Sequence, residues 1–306
     1  MLALASVAGL AILALAVLST RLYFRPLPAV APRAHWVIGP PEKTTFHPAG
    51  DIGGPVVVSP DGQRLAFAAV DAKGKQLVWV RPLDSLKAEP LSGTEDAYYP
   101  FWSPDSQSLG FFANGQLKRV RVDGGSAVSL CNVVNARGGS WNQHGIIVFA
   151  PDYRGALYRV PASGGNPELV TRLDPKHDSH RWPDFLPDGE HFLYMAVSHD
   201  SVSHADEGIY VASLDGKENK FLFRTRANAA YADGHLLYLN ENTLMARPFD
   251  LSRLELAGEP SALADVTPAA VADLDLHPGT EVWLTVKATE LEVYAGHGTT
   301  GAAPDS

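Results

Sequence analysis

The sequence predicts an all-β fold, a β-propeller of four to five four-stranded blades. Three observations support it. A turn motif returns at intervals of about 40 residues. Short runs rich in β-branched and aromatic residues separate the turns, and no long helical period is found between Pro26 and Pro260. The chain has 306 residues with 27 Gly and 23 Pro, which is enough for many turns.

The turn motif is Ser-Pro-Asp-Gly, found first at residues 59–62. Related forms follow along the chain, and the markers of the period are Asp61, Asp105, Gln143, Asp188 and Asp233. The steps between these markers are 44, 38, 45 and 45 residues. Periods of this length are typical of propeller blades, and Asp-Gly steps supply the positive φ that tight hairpins need. We therefore interpret the motif as turn chemistry rather than as a functional site.

Each period divides into four short β-like runs. In the third period the predicted strands cover 146–150, 156–161, 168–173 and 180–185. The array comprises four full periods and part of a fifth, placed over residues 35–264. Because an open ring leaves an unpaired strand edge, we expect either a small or gapped propeller or a truncated one.

The N-terminal segment is predicted to lie outside the propeller. Residues 2–18 are apolar except for Ser6 and Gly9, and residues up to 24 extend the run toward the roughly 30 Å needed to cross a bilayer. We predict a transmembrane helix or signal anchor at 1–24. A cleaved signal peptide is the alternative, with an Ala-Leu-Ala site at 14–16, but no Lys or Arg precedes the apolar run. Three prolines make 25–34 a stiff linker.

Composition excludes several function classes. The chain has 25 Lys and Arg against 34 Asp and Glu, a net charge of −9, which argues against nucleic acid as a partner. The single cysteine, Cys131, excludes an internal disulfide and any cysteine-based zinc site. It lies in an apolar-flanked run and is predicted to be a small core residue.

No catalytic, metal or cofactor site is predicted. Five of the 11 histidines fall in one stretch together with Asp178 and Asp200; they are His177, His180, His191, His199 and His204. These are metal-ligating residue types, but they span a turn, a strand and a polar loop, so we predict no metal site. No Gly-x-Ser-x-Gly elbow exists for a hydrolase. Four tryptophans recur at blade positions and are predicted to be core: Trp79, Trp102, Trp141 and Trp182.

The motif at 59–62, followed by Gln-Arg-Leu-Ala-Phe at 63–67, resembles the TolB-type, WD-repeat-like propeller repeat of bacteria. Further stretches resemble the propeller that follows the membrane helix of bacterial, notably acidobacterial, receptor serine/threonine kinases: 77–91, 99–112, 138–150, 180–194 and 208–214. This resemblance covers roughly residues 25–264. The kinase motifs themselves are not found, so we expect no kinase activity.

The resemblance also implies a topology. In receptor kinases of this kind the kinase is cytoplasmic and the propeller lies outside the membrane. Charge predicts the opposite, because Arg21, Arg25 and Arg33 all follow the apolar run and would hold that side in the cytoplasm. We adopt the family topology, with the propeller in the periplasm.

The C-terminus breaks the period. A short helix at 269–274 and a strand around 282–286 are predicted, and residues 265–295 resemble the end of the TOBE, or mop, molybdate-binding domain. The resemblance implies that Lys287, Ala288 and Thr289 lie near a bound oxyanion. The half of that domain with its own anion-contacting loop is not found, so we expect no oxyanion binding tighter than roughly millimolar. Residues 296–306 are a flexible tail.

The expected function is that of a non-enzymatic, membrane-anchored binding or sensor module, like the sensor half of a receptor kinase lacking its kinase. We expect a single-pass protein of the cell inner membrane, with a protein or peptide ligand on a propeller face and no nucleic acid. One alternative is a molybdate-transport-related protein acting through the TOBE-like tail. A second is a truncated fusion remnant without function.

Overall fold

A computed structural model of the chain describes residues 40–46, 54–199, 207–241 and 243–265. All of them fall in one compact unit that begins at Gly39. Within these ranges the chain forms strands and turns without any helix, and the strands pair into five antiparallel sheets. The predicted all-β fold is confirmed, and the number of described blades is five.

Each sheet is one blade. The strands of blade 1 are β1 (Thr44–Phe46), β2 (Val57–Val58), β3 (Arg64–Asp71), β4 (Gln76–Pro82) and β5 (Glu89–Pro90). Those of blade 2 are β6 (Tyr98–Trp102), β7 (Ser108–Ala113), β8 (Gln116–Arg121) and β9 (Val128–Asn132). Those of blade 3 are β10 (Gly139–Trp141), β11 (Ile146–Phe149), β12 (Tyr158–Pro161) and β13 (Glu168–Leu169). Those of blade 4 are β14 (Ser179–Phe185), β15 (His191–Val197), β16 (Gly208–Ser213) and β17 (Asn219–Phe223). Those of blade 5 are β18 (Ala229–Ala232), β19 (His235–Asn240), β20 (Thr243–Asp250), β21 (Glu255–Leu256) and β22 (Ser261–Asp265).

The blades are simple meanders. In blades 2, 3 and 4 the strands pair in chain order, so the first strand of each blade is one edge of its sheet. In blade 1, β1 and β2 share one edge of β3, and in blade 5, β21 and β22 share one edge of β20. We call β2, β6, β10, β14 and β18 the inner strands. Neighbouring blades contact one another mainly through them.

The core lies between the faces of neighbouring blades. One apolar cluster runs through blades 2 to 5, where the rings of Phe112 and Phe149 lie 6.5 Å apart and those of Phe223 and Tyr238 lie 4.5 Å apart. A second cluster joins blades 1 and 2 and includes Trp102. Burial of this apolar area is the main stabilising contribution of such packing.

The repeated motif forms the predicted turns. Ser59 Oγ donates a hydrogen bond to Asp61 Oδ1 at 2.5 Å, and Ser103 Oγ donates to Asp105 Oδ1 at 2.6 Å. The Asp61 backbone N–H also donates to Ser106 Oγ of the next blade at 3.0 Å. The interpretation as turn chemistry is confirmed, and the turn additionally links neighbouring blades.

The blade boundaries differ from the predicted grouping. The run 180–185 was assigned to the third period, but β14 (Ser179–Phe185) is the inner strand of blade 4. The run 168–173 shortens to β13 (Glu168–Leu169), since Val170 and Thr171 instead donate their backbone N–H groups to Leu157 O at 2.9 and 3.3 Å. Sequence periodicity gives the repeat length but not the point at which one sheet ends.

Several predictions fall outside the described residues. These are the membrane helix at 1–24, the linker at 25–34, the helix at 269–274 and the tail at 296–306. In the part of the chain that the structure describes, no helix is long and apolar enough to cross a membrane. Blade 5 extends to Asp265 through β22.

Candidate functional site

A cavity of about 710 Å³ lies between the inner strands. We call it the central cavity. Every blade contributes to its wall, through Val57, Phe101, Trp141, Asp184 and Tyr231 from blades 1 to 5 in turn. The wall is rich in aromatic rings and prolines, which makes it predominantly apolar. Cavities of this size are typical of ligand sites.

Two of the inner strands carry the same irregularity. In β6, Tyr99 has φ 49° and precedes Pro100, and in β14, Trp182 has φ 54° and precedes Pro183. In both strands the pairing register shifts across this step. Such a bulge adds one residue to the strand, and proline has no N–H to offer to a ladder. The shared bulge therefore places Phe101 and Asp184 at equivalent positions of blades 2 and 4.

Asp184 is an acidic group in the wall of the cavity. The residue is partly exposed and lines the cavity, and its carboxylate accepts the backbone N–H of Tyr231 from blade 5. Burial raises the pKa of Asp184 to about 7, because the surrounding protein replaces the water that would stabilise its charge. Asp233 is a second acid in the wall, and no Lys, Arg or His is found among the described residues that line the cavity.

The equivalent positions in neighbouring blades carry no charge. Phe101 is 7% exposed and packs into the core, and a Cβ atom added to Gly110 would lie 2.3 Å from its ring. Ser140 Oγ accepts the backbone N–H of Phe185 at 3.0 Å and so joins blades 3 and 4. Only blade 4 among these three places a carboxylate at this level of the cavity.

Asn228 is a further polar residue of the wall. Its Oδ1 atom is buried and has no hydrogen-bond partner among the described residues. A buried acceptor without a donor is costly, and such groups are often satisfied by a water molecule or a ligand.

A separate polar network joins blades 3 and 4 at the start of β14. Arg181 is buried, and its Nη2 lies 2.6 Å from His199 Nε2, while His199 Nδ1 lies 2.8 Å from Asp178 Oδ1. A guanidinium can only donate, so His199 Nε2 is the acceptor in the contact with Arg181, and Nδ1 lies toward Asp178. The edge of the network is exposed at Tyr153, over whose ring the Arg154 guanidinium lies at 5.8 Å.

The structure places the described histidines of the histidine-rich stretch in separate environments. His180 is buried, with Nδ1 2.8 Å from Thr171 Oγ1, and burial together with nearby His177 lowers its pKa to about 4. His191 instead contacts Asp188 at 2.7 Å in a turn. His204 and Asp200 lie outside the described residues. In the described ranges no group of three or more His, Cys, Asp or Glu side chains could hold a metal ion.

The predicted oxyanion residues Lys287, Ala288 and Thr289 also lie outside the described residues. Cys131 is half-buried against the core, and burial raises the pKa of its thiol to about 11. The prediction that the tryptophans are only core residues is incomplete. Three of them line the central cavity: Trp102, Trp141 and Trp182.

Sequence reasoning missed Asp184. A signal was present, because the segment Tyr-Pro-Phe-Trp-Ser-Pro-Asp of blade 2 aligns with Trp-Pro-Asp-Phe-Leu-Pro-Asp of blade 4. That alignment places Asp184 opposite Phe101. An acidic residue at a position that is apolar in another repeat points to a special role rather than to packing.

Comparisons with known proteins agree with this fold. An uncharacterized protein from Agrobacterium fabrum is 28% identical over 201 residues, which is 58% of this chain and 61% of the relative. The crystal structure of TolB from Acinetobacter baumannii aligns with a TM-score of 0.52 and 14% identity, covering 65% of this chain and 51% of that chain. The chain thus spans less than two thirds of the length of either protein. At this identity the likeness to TolB concerns the fold alone.

An enzyme is also among the similar structures. An oligogalacturonate lyase from Vibrio parahaemolyticus aligns with a TM-score of 0.48 and 14% identity, over 72% of this chain and 68% of that chain. A fold alone does not assign an activity.

The TOBE domain family matches residues 253–293. The match begins inside blade 5, where Leu254 is 5% exposed in the propeller core and β21 and β22 pair with β20. The first residues of the matched segment are therefore folded as part of the propeller. The chain carries a β-propeller with five described blades that is similar to TolB-like propellers, and a segment that matches the TOBE domain family starts in the last of these blades.

Proposed function

We propose that this protein is a non-enzymatic binding module whose central cavity takes an extended segment of a protein or peptide. The observation that carries the proposal is the cavity itself, with a wall built by all five described blades and rich in aromatic side chains. Aromatic walls provide large apolar contact area at low entropic cost. A binding role follows from this shape more directly than from any single residue.

The inner strands favour a peptide over a compact small molecule. In blades 2 to 5 each inner strand is the edge of its sheet, so one row of its backbone N–H and C=O groups lies outside strand pairing. In that row the Phe185 N–H already bonds Ser140 Oγ and the Tyr231 N–H already bonds Asp184 of adjacent blades. An extended peptide would bond to other groups of these edges while its side chains enter the cavity.

The cavity wall supports the non-enzymatic part of the proposal. General acid–base catalysis needs positioned groups of complementary protonation, most often including His, Lys or a second carboxyl within reach. Among the lining residues the titratable carboxyls are Asp184 in β14 and the exposed Asp233. One partly buried carboxyl in an aromatic wall is better suited to recognition than to turnover.

A peptide array tests the binding role. Full-length protein, purified in detergent, would be screened against tetrapeptide pools with one fixed position each, and hits would be measured by calorimetry. We expect a defined subset of pools to bind in the micromolar range. Ala230→Trp, which fills the cavity wall, should abolish that binding, whereas Leu86→Trp at a 91% exposed position should not. No binding in any pool, or equal binding by Ala230→Trp, would refute the proposal.

The proposal includes a location. The apolar run at 2–18 would anchor the protein in the inner membrane, with the propeller on the outer side. After carbonate washing the protein should remain in the membrane fraction, and protease added to spheroplasts should digest the propeller. Protection from the protease would reverse the proposed orientation.

A further inference from the structure

We propose that Asp184 makes the central cavity a site for a cationic group, such as the ammonium of a lysine side chain or of a peptide N-terminus. The inference rests on the proposed function and names the chemistry of the ligand. It depends on the position of one carboxylate, on the aromatic rings around the cavity and on the charges of the lining residues.

The carboxylate of Asp184 has acceptor capacity to spare. It accepts the Tyr231 backbone N–H, whereas an ionised carboxylate has about four lone-pair sites on its two oxygens. Asp184 is partly exposed and is one of the residues that line the cavity. A donor that enters the cavity can therefore hydrogen-bond to Asp184 without displacing Tyr231.

The lining charges are of one sign. Among the described residues that line the cavity, Asp184 and Asp233 are the acidic ones, and none is Lys, Arg or His. Burial already disfavours the ionised form of Asp184, whose pKa is raised to about 7. A cation in the cavity would replace part of the lost solvation, which is the usual way in which a buried charge is stabilised.

The aromatic wall favours the same occupant. Trp141 and Tyr231 line the cavity together with Asp184. The face of an aromatic ring carries partial negative charge and attracts ammonium or guanidinium groups within about 6 Å. This molecule already uses such contacts, since the Arg64 guanidinium lies 5.3 Å from the ring centroid of Trp102.

The internal repeat shows that the charge is not required by the bulge. Blade 2 builds the same bulge and places Phe101 at the equivalent position, where the side chain is in the core. The carboxylate in blade 4 is therefore not part of what makes the bulge form. Because the carboxylate lies on the blade 4 side of the cavity, the cationic group of a bound segment would be held at that side, which would fix the orientation of the segment.

Three tripeptides test the inference: acetyl-Phe-Lys-Phe-amide, the norleucine version without the ammonium, and the glutamate version. At about pH 8, where Asp184 is ionised, calorimetry on the full chain should show the lysine peptide binding at least tenfold more tightly than the norleucine peptide, roughly the value of a charge-assisted hydrogen bond. In Asp184→Asn the ratio should fall to about twofold or less. Asp84→Asn, which changes an exposed acid outside the cavity, should keep the wild-type ratio.

The outcomes separate this inference from the proposed function. If the norleucine and lysine peptides bind wild type equally, the inference is refuted while the binding role stands. If Asp184→Asn keeps the tenfold ratio, a group other than Asp184 binds the ammonium and the inference is again refuted. If none of the three peptides binds, the inference also fails, whereas the binding role is decided by the array. Thermal melting of each variant checks that it is folded.

Discussion

Blades 2 and 4 have the same backbone bulge in their inner strands but different side chains after it. Their inner strands share an aromatic–proline bulge with a positive φ at the aromatic residue. In blade 2 the next residue is Phe101, which pairs with Gly110 and fills the space that a side chain there would occupy. In blade 4 it is Asp184, which pairs with Leu193 and is partly exposed in the cavity. The same bulge is thus kept in two repeats, while the side chain that follows its proline is buried in the core in blade 2 and partly exposed at the cavity in blade 4.

The largest expected effect comes from placing the blade 4 residue in blade 2. Phe101→Asp removes a buried ring and adds a carboxylate to the apolar cluster. Loss of the ring alone costs about 3–5 kcal/mol, and the buried charge adds to it. We expect the free energy of unfolding in urea to fall by more than about 4 kcal/mol.

The matched control is Phe221→Asp, at a phenylalanine that is 46% exposed in β17. It should cost about 1 kcal/mol or less, as for most exposed positions. A cost for Phe101→Asp no larger than that of this control would mean that position 101 also faces a wet cavity, and the contrast between the blades would disappear.

The second prediction concerns pH. The pKa of Asp184 is about 7 in the folded state against an ordinary value of 3.8, so between these values the folded protein holds a proton that the unfolded chain has released. This group therefore makes the fold less stable as the pH rises from about 4 to about 7. Between pH 5 and pH 7 this group should lower the free energy of unfolding of wild type by about 2–3 kcal/mol. Asp184→Asn should not show that loss.

His180, in the same strand, has the opposite effect on how stability changes with pH. Its pKa is about 4 in the folded state against an ordinary 6.5, so its stabilising effect is complete above pH 6.5 and is lost as the pH falls toward 4. His180→Asn should therefore flatten the loss of stability in acid, while Asp184→Asn should steepen it. Urea unfolding at pH 5 and 7 measures both. Identical pH profiles for the two variants would contradict the assigned environments.

The sequence could predict the repeat but not these environments. Turn residues act locally, so the Ser-Pro-Asp-Gly motif predicted hairpins wherever it occurred, and the markers gave the number of blades to within one. The exposure of Asp184 depends on a bulge in pairing with β15 and on Tyr231 of another blade. Those contacts are long-range, and no local propensity encodes them.

The third prediction tests the packing side of the comparison. A Cβ atom added to Gly110 would lie 2.3 Å from the ring of Phe101, so Gly110→Ala forces the ring to move. Overpacking of this kind costs about 1–3 kcal/mol. The cost should shrink in a Phe101→Ala background, because the ring that clashes is gone. Equal costs in both backgrounds, measured by urea unfolding, would show that the ring does not fill this space.

The smallest expected effect lies at the turn after each inner strand. Ser103 Oγ accepts the Ser108 backbone N–H at 2.9 Å and donates to Asp105 Oδ1 at 2.6 Å, whereas blade 4 has the buried Leu186 at the equivalent place. Ser103→Ala leaves the Ser108 N–H without its side-chain acceptor and should cost about 1 kcal/mol. Ser85→Ala is the control, because Ser85 Oγ accepts the Lys87 N–H at 3.0 Å in an exposed turn where water can replace it. A loss of stability in Ser103→Ala no greater than in Ser85→Ala, by urea unfolding, would mean that the hydroxyl is not needed for the blade 2 turn. The turn of blade 4 has Leu186 in place of this serine, and it is closed by backbone hydrogen bonds such as that from Gly189 N–H to Leu186 O at 2.9 Å. Backbone hydrogen bonds would then be sufficient for the blade 2 turn as well.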